Sequence, residues 1–176
     1  MILILRFIGV VNAAIWFGAA AFFTFAVAPA FFTPEMKSRL GDFYTGWIAQ
    51  KVLDRYFLLH YWCGGIALVH LLAEWVYLGK ALSRFLLWLL IGTLGLSLIG
   101  GLGLTPKLKR LHLIKYARAE SFTDTQRTQA ARSFSRWHGV SSGMNLLILC
   151  GLAVYFWRTV HSNDGPRFVS ANKFRS

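Results

Sequence analysis

The sequence predicts an all-α fold, an integral membrane four-helix bundle with an interfacial helix in the first loop and a long basic, partly helical third loop. Three observations predict it. Only 15% of the 176 residues are charged, against about 25% in an ordinary soluble domain. Apolar residues make up 56%. They gather in four stretches, about 7–32, 56–78, 85–105 and 136–158, each meeting the ~20 residues that a helix needs to cross a bilayer core. Residues 1–160 then form one membrane domain, and 161–176 a polar basic tail.

The first stretch reads as a spanning helix and not as a cleaved leader, because its apolar run far exceeds a signal core and Pro29 follows the small triplet Ala26-Val27-Ala28. Ala14, Gly18 and Ala21 offer a small face for a neighbour. Thr33-Pro34-Glu35 has the pattern of a helix start. Phe43, Tyr44, Trp47, Ile48, Val52 and Leu53 give a loosely amphipathic stretch that lies in the interface before the second span.

Residues 79–84 read as a tight turn, making the second and third spans a hairpin. Thr93, Ser97 and Gly101 recur at spacing four on the third span, and Pro106 is expected to end it. Thr123 or Asp124 caps a helix that continues through Phe134 into the last span. Four spans put both termini on one side. Twelve Lys and Arg lie in the loops 33–55 and 106–136, against seven on the terminal side. The positive-inside rule therefore puts those two loops in the cytoplasm. For a bacterial chain the membrane would be the inner one.

The net charge of +12 sits in loops and at helix ends, which points to anionic lipid headgroups as the partner and not to nucleic acid. Cys63 and Cys150 fall inside spans without zinc-type spacing.

Two polar stripes carry the candidate site. On the last span Ser141, Ser142 and Asn145 fall within about 60° of His138 at ~100° per residue, and so face inward with it, while Arg136 points away toward headgroups. On the second span His60, Cys63, His70 and Glu74 share one narrow face. Alternating helix directions put His60, Cys63, Ser97, His138 and Ser141 in one polar layer, near the long loop, and Asn12, His70, Glu74 and Thr93 in another. Inward hydroxyls and amides most simply tie helices together. Imidazoles also suit haem iron or a transition metal, so His60, His138 and His70 are the candidate ligands. No catalytic set and no cofactor is assigned, because no metal-site or haem-attachment spacing occurs.

The run RSFSRWHGVSSGMNLL, residues 132–147, resembles the last-helix signature of the transmembrane protein 205-like family, small four-helix membrane proteins. The residues that carry the likeness are Phe134, Arg136, His138, Gly139, Ser141, Ser142 and Asn145. Looser similarity runs over about 8–155, through Gly18, Phe22, Phe25, Val27 and Pro29, then Gln50-Lys51 and Pro106. The resemblance implies a non-enzymatic membrane protein tied to transport, to metal or drug resistance, or to a larger complex or homo-oligomer. Its namesake is associated with platinum-drug resistance. The chain is also distantly similar to copper-resistance protein D and to the haem-binding J-type protoporphyrinogen oxidase, which carry a histidine early in the first helix. Asn12 stands at that place. An amide is a poor ligand for haem or copper, so a metal- or haem-binding redox protein is the alternative reading.

Overall fold

The computed structural model describes residues 2–79, 82–116 and 121–161. Lys80 of the hairpin turn and the tail beyond His161 lie outside the described residues. Six α-helices and two π-helical turns follow one another: α1 Ile2–Phe22, a π turn Phe23–Val27, α2 Ala28–Phe31, α3 Pro34–Leu78, α4 Arg84–Leu98, a π turn Ile99–Leu104, α5 Thr105–Tyr116 and α6 Asp124–Val160. They make four continuous rods, Leu3–Phe31, Pro34–Tyr77, Arg84–Tyr116 and Asp124–Val160, each long and apolar enough to cross a membrane. No strand occurs among the described residues.

Local chemistry sets the boundaries. The Thr33 hydroxyl accepts from the Met36 amide at 3.4 Å and starts α3. Gly41 then breaks the helix with φ 71° and ψ 160°, a conformation that costs any other residue type. Beyond it the interfacial stretch runs directly into the second span as one helix. Thr123 and Gln126 form a reciprocal capping box at the start of α6.

Pro106 does not end the third rod as the sequence had suggested, and the first rod likewise runs on past Pro29 to Phe31. A proline removes the amide that would bond the residue four back, and its ring presses on that carbonyl. Here the helix widens to a π turn just before each proline. The Ala28 amide bonds the Phe23 carbonyl and the Thr105 amide bonds the Gly100 carbonyl, both five residues back. The Thr105 hydroxyl adds a second bond to Gly100 at 2.9 Å. The register shift carries the helix past the proline in place of stopping it.

α1 packs on α3 and α6, α4 packs on the same two helices from the other side, and α5 packs on α6 and α3. Trp16 is 0% exposed at the centre, with Leu90, Ile148 and Leu152 around it. The close face of α1 is Ala13 and Ala20, both buried. Ala14 and Gly18, expected there, are exposed. Past the break at Gly41, the helix from Asp42 to Tyr77 is about 54 Å long at 1.5 Å per residue, well beyond the ~30 Å hydrocarbon core. The first turns of α3, with α5 and the start of α6, therefore project past the bilayer core. Lys107, Lys109, Arg110 and Lys115 place α5 outside the hydrocarbon.

Candidate functional site: a cavity at the loop end of the bundle

Where the four rods pass out of the hydrocarbon they leave a cavity of about 600 Å³ between the π turn and α2 of the first rod, α3, the end of the third rod with α5, and α6. That volume lies within the ~300–1,000 Å³ usual for small-molecule sites. Both π turns contribute to its wall, through Phe23 and Thr24 on one side and Gly100 on the other, with Thr105 next in the chain. π turns frequently mark functional sites.

The deep wall is apolar, formed by Leu53, Phe57, Leu96 and Ile148 beside Phe23. One polar bridge crosses it. The Tyr56 hydroxyl donates to Asn145 Oδ1 at 2.6 Å, and Asn145 Nδ2 donates to the Thr24 hydroxyl at 2.8 Å. Three rods thus meet at one carboxamide.

The outer part is charged and aromatic. Lys37, Asp42, His112, Lys115, Tyr116 and His138 line it. Phe134 is the hub: the His138 ring stacks on it at 5.8 Å, the His112 ring lies 6.0 Å away, and the Lys115 ammonium sits 5.7 Å from its centroid. Phe32 meets His138 edge-on at 6.5 Å and carries Lys37 above it at 6.0 Å. Phe32, His138, Ser142 and Leu146 remain exposed while lining the cavity, so its mouth lies between the end of α2 and α6.

His112 is the most unusual group here. It is 3% exposed, stacked on Phe43 at 5.5 Å, and neither ring nitrogen has a hydrogen-bond partner among the described residues. The ring fits against α3 only because Gly46 has no Cβ, which would collide with Nε2. Burial and then Lys115 hold the imidazole below the ordinary histidine pKa, against the Asp42 backbone carbonyl. That carbonyl does not reach either nitrogen in hydrogen-bond geometry. Thr45, 1% exposed, adds to this wall a hydroxyl that is also without a partner among the described residues.

The two stripes read from the sequence go to different places. His138, Ser141, Ser142 and Asn145 all line the cavity, together with Phe134, while Arg136 and Gly139 are exposed outside it. The Ser142 hydroxyl donates to its own helix, at the His138 carbonyl 3.0 Å away. The second-span stripe is packed in the bundle. His60, 0% exposed, accepts the Trp16 indole N–H on Nδ1 at 2.9 Å. An indole only donates, so the His60 proton is on Nε2, which has no nitrogen or oxygen partner among the described residues.

Ser97 lies 3.3 Å from His60 Nδ1 and donates to the Thr93 carbonyl at 2.9 Å. Asn12 donates to the Cys63 carbonyl at 3.0 Å. His70 Nε2 bonds the Leu5 carbonyl at 2.8 Å. Glu74 is half-buried on the same rod. The layer expected to hold His60, Cys63, Ser97, His138 and Ser141 therefore divides between core and cavity. Among the described residues no group of three or more His, Cys, Asp or Glu is placed to hold a metal ion.

His112, Thr45, Lys37, Lys115 and Asp42 were not singled out from the sequence. The signal for His112 was there: Leu104, Leu108 and His112 recur at spacing four and are all buried. It is masked by the lysines and arginine around it.

Four apolar rods with a lined cavity at their loop end define a multi-pass membrane protein with a small-molecule-sized site. The chain belongs to the family described as Domain of unknown function (DUF4149), whose model matches residues 11–117. The match covers α1 to α5 and stops before residues 132–147 of α6. Comparison with curated proteins gave no match, and neither did comparison with solved structures.

Proposed function

We propose that this protein works by binding a small amphipathic molecule in the loop-end cavity, as a transport or resistance protein of the transmembrane protein 205-like type or as a subunit of a membrane complex. The observation that carries this reading is the cavity itself: about 600 Å³, apolar in its depth, charged at its mouth, and open where α2 and α6 stand apart. The last-helix run that resembles the transmembrane protein 205-like signature supplies His138, Ser141, Ser142 and Asn145 to its lining. A packed bundle with no binding role gains nothing from such a space, since each unfilled volume forfeits packing contacts.

The test is thermal unfolding of the purified protein in a non-ionic detergent, with a panel of single-tail amphiphiles of varied headgroup. A ligand at about 100 times its Kd stabilises the folded state by ~2.7 kcal/mol. Ser142→Trp puts a large ring in the mouth from an exposed position and abolishes the stabilisation while leaving the unliganded melting temperature near that of the parent. No stabilisation by any amphiphile, or equal stabilisation of Ser142→Trp, rules the reading out.

A further inference from the structure

We infer that the molecule held in this cavity carries an anionic head, a carboxylate or phosphate on an apolar tail, with the head between Lys37 and Lys115 and the tail against Phe23, Leu53 and Ile148. This rests on the cavity reading above and adds the ligand's charge and orientation.

The aromatic rings at the mouth already carry ammonium groups on their faces. Rings at the mouth could in principle cage a cation. Their faces are occupied, however: Lys37 lies over Phe32 at 6.0 Å, and Lys115 lies over Phe134 at 5.7 Å and over Tyr116 at 4.8 Å. A cationic head would have to displace a lysine and would meet both ammonium charges. An anionic head meets two cations already held in place by rings, at the cost of no new desolvated positive charge.

The carboxylate at the mouth does not cancel them. Asp42 stands 4.0 Å from the Lys37 ammonium, the outer limit of an ion pair, and both side chains are about half-exposed, 46% and 57%. The bidentate pair close by, Lys109 on Asp54 at 2.6 and 2.7 Å, shows what a committed pair looks like on this surface. His138, exposed at the mouth, adds an imidazole N–H donor, and Ser141 lines the wall one turn deeper. Beyond them the lining turns mainly apolar, its polar groups being the self-satisfied Tyr56–Asn145–Thr24 bridge and the uncharged Thr45, Gln50 and Thr105 side chains. A second charged group on the ligand would find no opposite charge there.

The experiment uses the full chain in nanodiscs of phosphatidylcholine. Three probes share a dodecyl chain, namely dodecyl phosphate, dodecanol and dodecyltrimethylammonium, and binding is measured by calorimetric titration against nanodiscs carrying Ser142→Trp. The expected result is dodecyl phosphate bound at least ten-fold more tightly than either other probe. Lys37→Gln with Lys115→Gln should bring it down to the affinity of dodecanol, whose own binding is unchanged.

Equal binding of the three probes, each lost in Ser142→Trp, overturns the anionic head while leaving the cavity reading standing. Binding of none overturns both. Inorganic phosphate bound as tightly as dodecyl phosphate overturns the amphiphile and assigns a free anion. A last arm adds phosphatidylglycerol to the nanodisc. Competition by it at membrane mole fractions identifies the anion as a bilayer lipid, and its failure to compete identifies a single-tail molecule, both within the proposal.

Discussion

Tyr56 and Asn145, 89 positions apart in the chain, share a 2.6 Å hydrogen bond at the floor of the cavity. The hydroxyl donates from α3 and the carboxamide accepts on α6, then passes its own N–H to Thr24 of the first rod. The cavity is thus closed below by a bond network and not by apolar packing alone. The same network that ties three rods together fixes how deep a ligand can go.

Breaking that bridge should cost little in stability and more in the shape of the site. Interhelical hydrogen bonds in membranes average about 0.6 kcal/mol and reach about 1.7. Tyr56→Phe and Asn145→Ala should each fall in or near that range by unfolding in mixed detergent. A double-mutant cycle should return a coupling inside it. Additive effects would show that the 2.6 Å contact contributes nothing.

The Trp16–His60 pair lies deeper and should matter more. Trp16→Phe keeps most of the ring but removes the donor to His60 Nδ1. It should destabilise measurably less than Trp16→Ala, which opens a space at a fully buried site and is expected to cost about 3–5 kcal/mol. His60→Ala in the Trp16→Phe background should then cost less than in the parent, because the pair has already lost its bond. Calorimetric melting temperatures of the parent and the four variants decide the point.

Gly46 and His112 make a size-complementary pair, so their substitutions should compensate. Gly46→Ala drives a methyl into the imidazole and should lower the melting temperature. His112→Ala should restore much of it in the double variant. His112 also has a pH signature. Its folded pKa lies below the ordinary value, so the unfolded chain takes up the proton first as pH falls through about 6.5. Its contribution is fully present above that value and is lost progressively below it. His112→Gln should flatten the acid side of the stability profile.

Lys109 and Asp54 form the shortest ion pair among the described residues, at 2.6 Å. Both side chains are more than a third exposed, and pairs so solvated contribute about 0–1 kcal/mol. Asp54→Asn should lower stability by no more than that, and added salt should erase most of the difference. A larger, salt-insensitive loss would place the pair in the hydrocarbon.

Much of the architecture was written in local pattern. Four apolar stretches and the Thr33 and Thr123 caps are properties of near neighbours in the chain, and each has its counterpart in the structure. What local pattern could not show is what the prolines do. Pro106 reads as a stop, because the π turn that absorbs it depends on a register shift no propensity records. The divided fate of the histidines was hidden for another reason. His60 and His138 share an inward phase, but whether an inward face meets packing or space depends on how far the rods splay. His112 lay among cations in a segment that reads as a polar loop until α3 and α6 are brought against it.

Whether the cavity holds a molecule decides most directly what this protein does. Native mass spectrometry of the full chain released gently from its membrane measures that. It should show a bound species of small-molecule or single-lipid mass on the parent protein, absent from Ser142→Trp and depleted in Lys37→Gln with Lys115→Gln. A parent protein that flies at its bare chain mass under conditions that preserve other lipid complexes, or a bound species retained equally by Ser142→Trp, would contradict it.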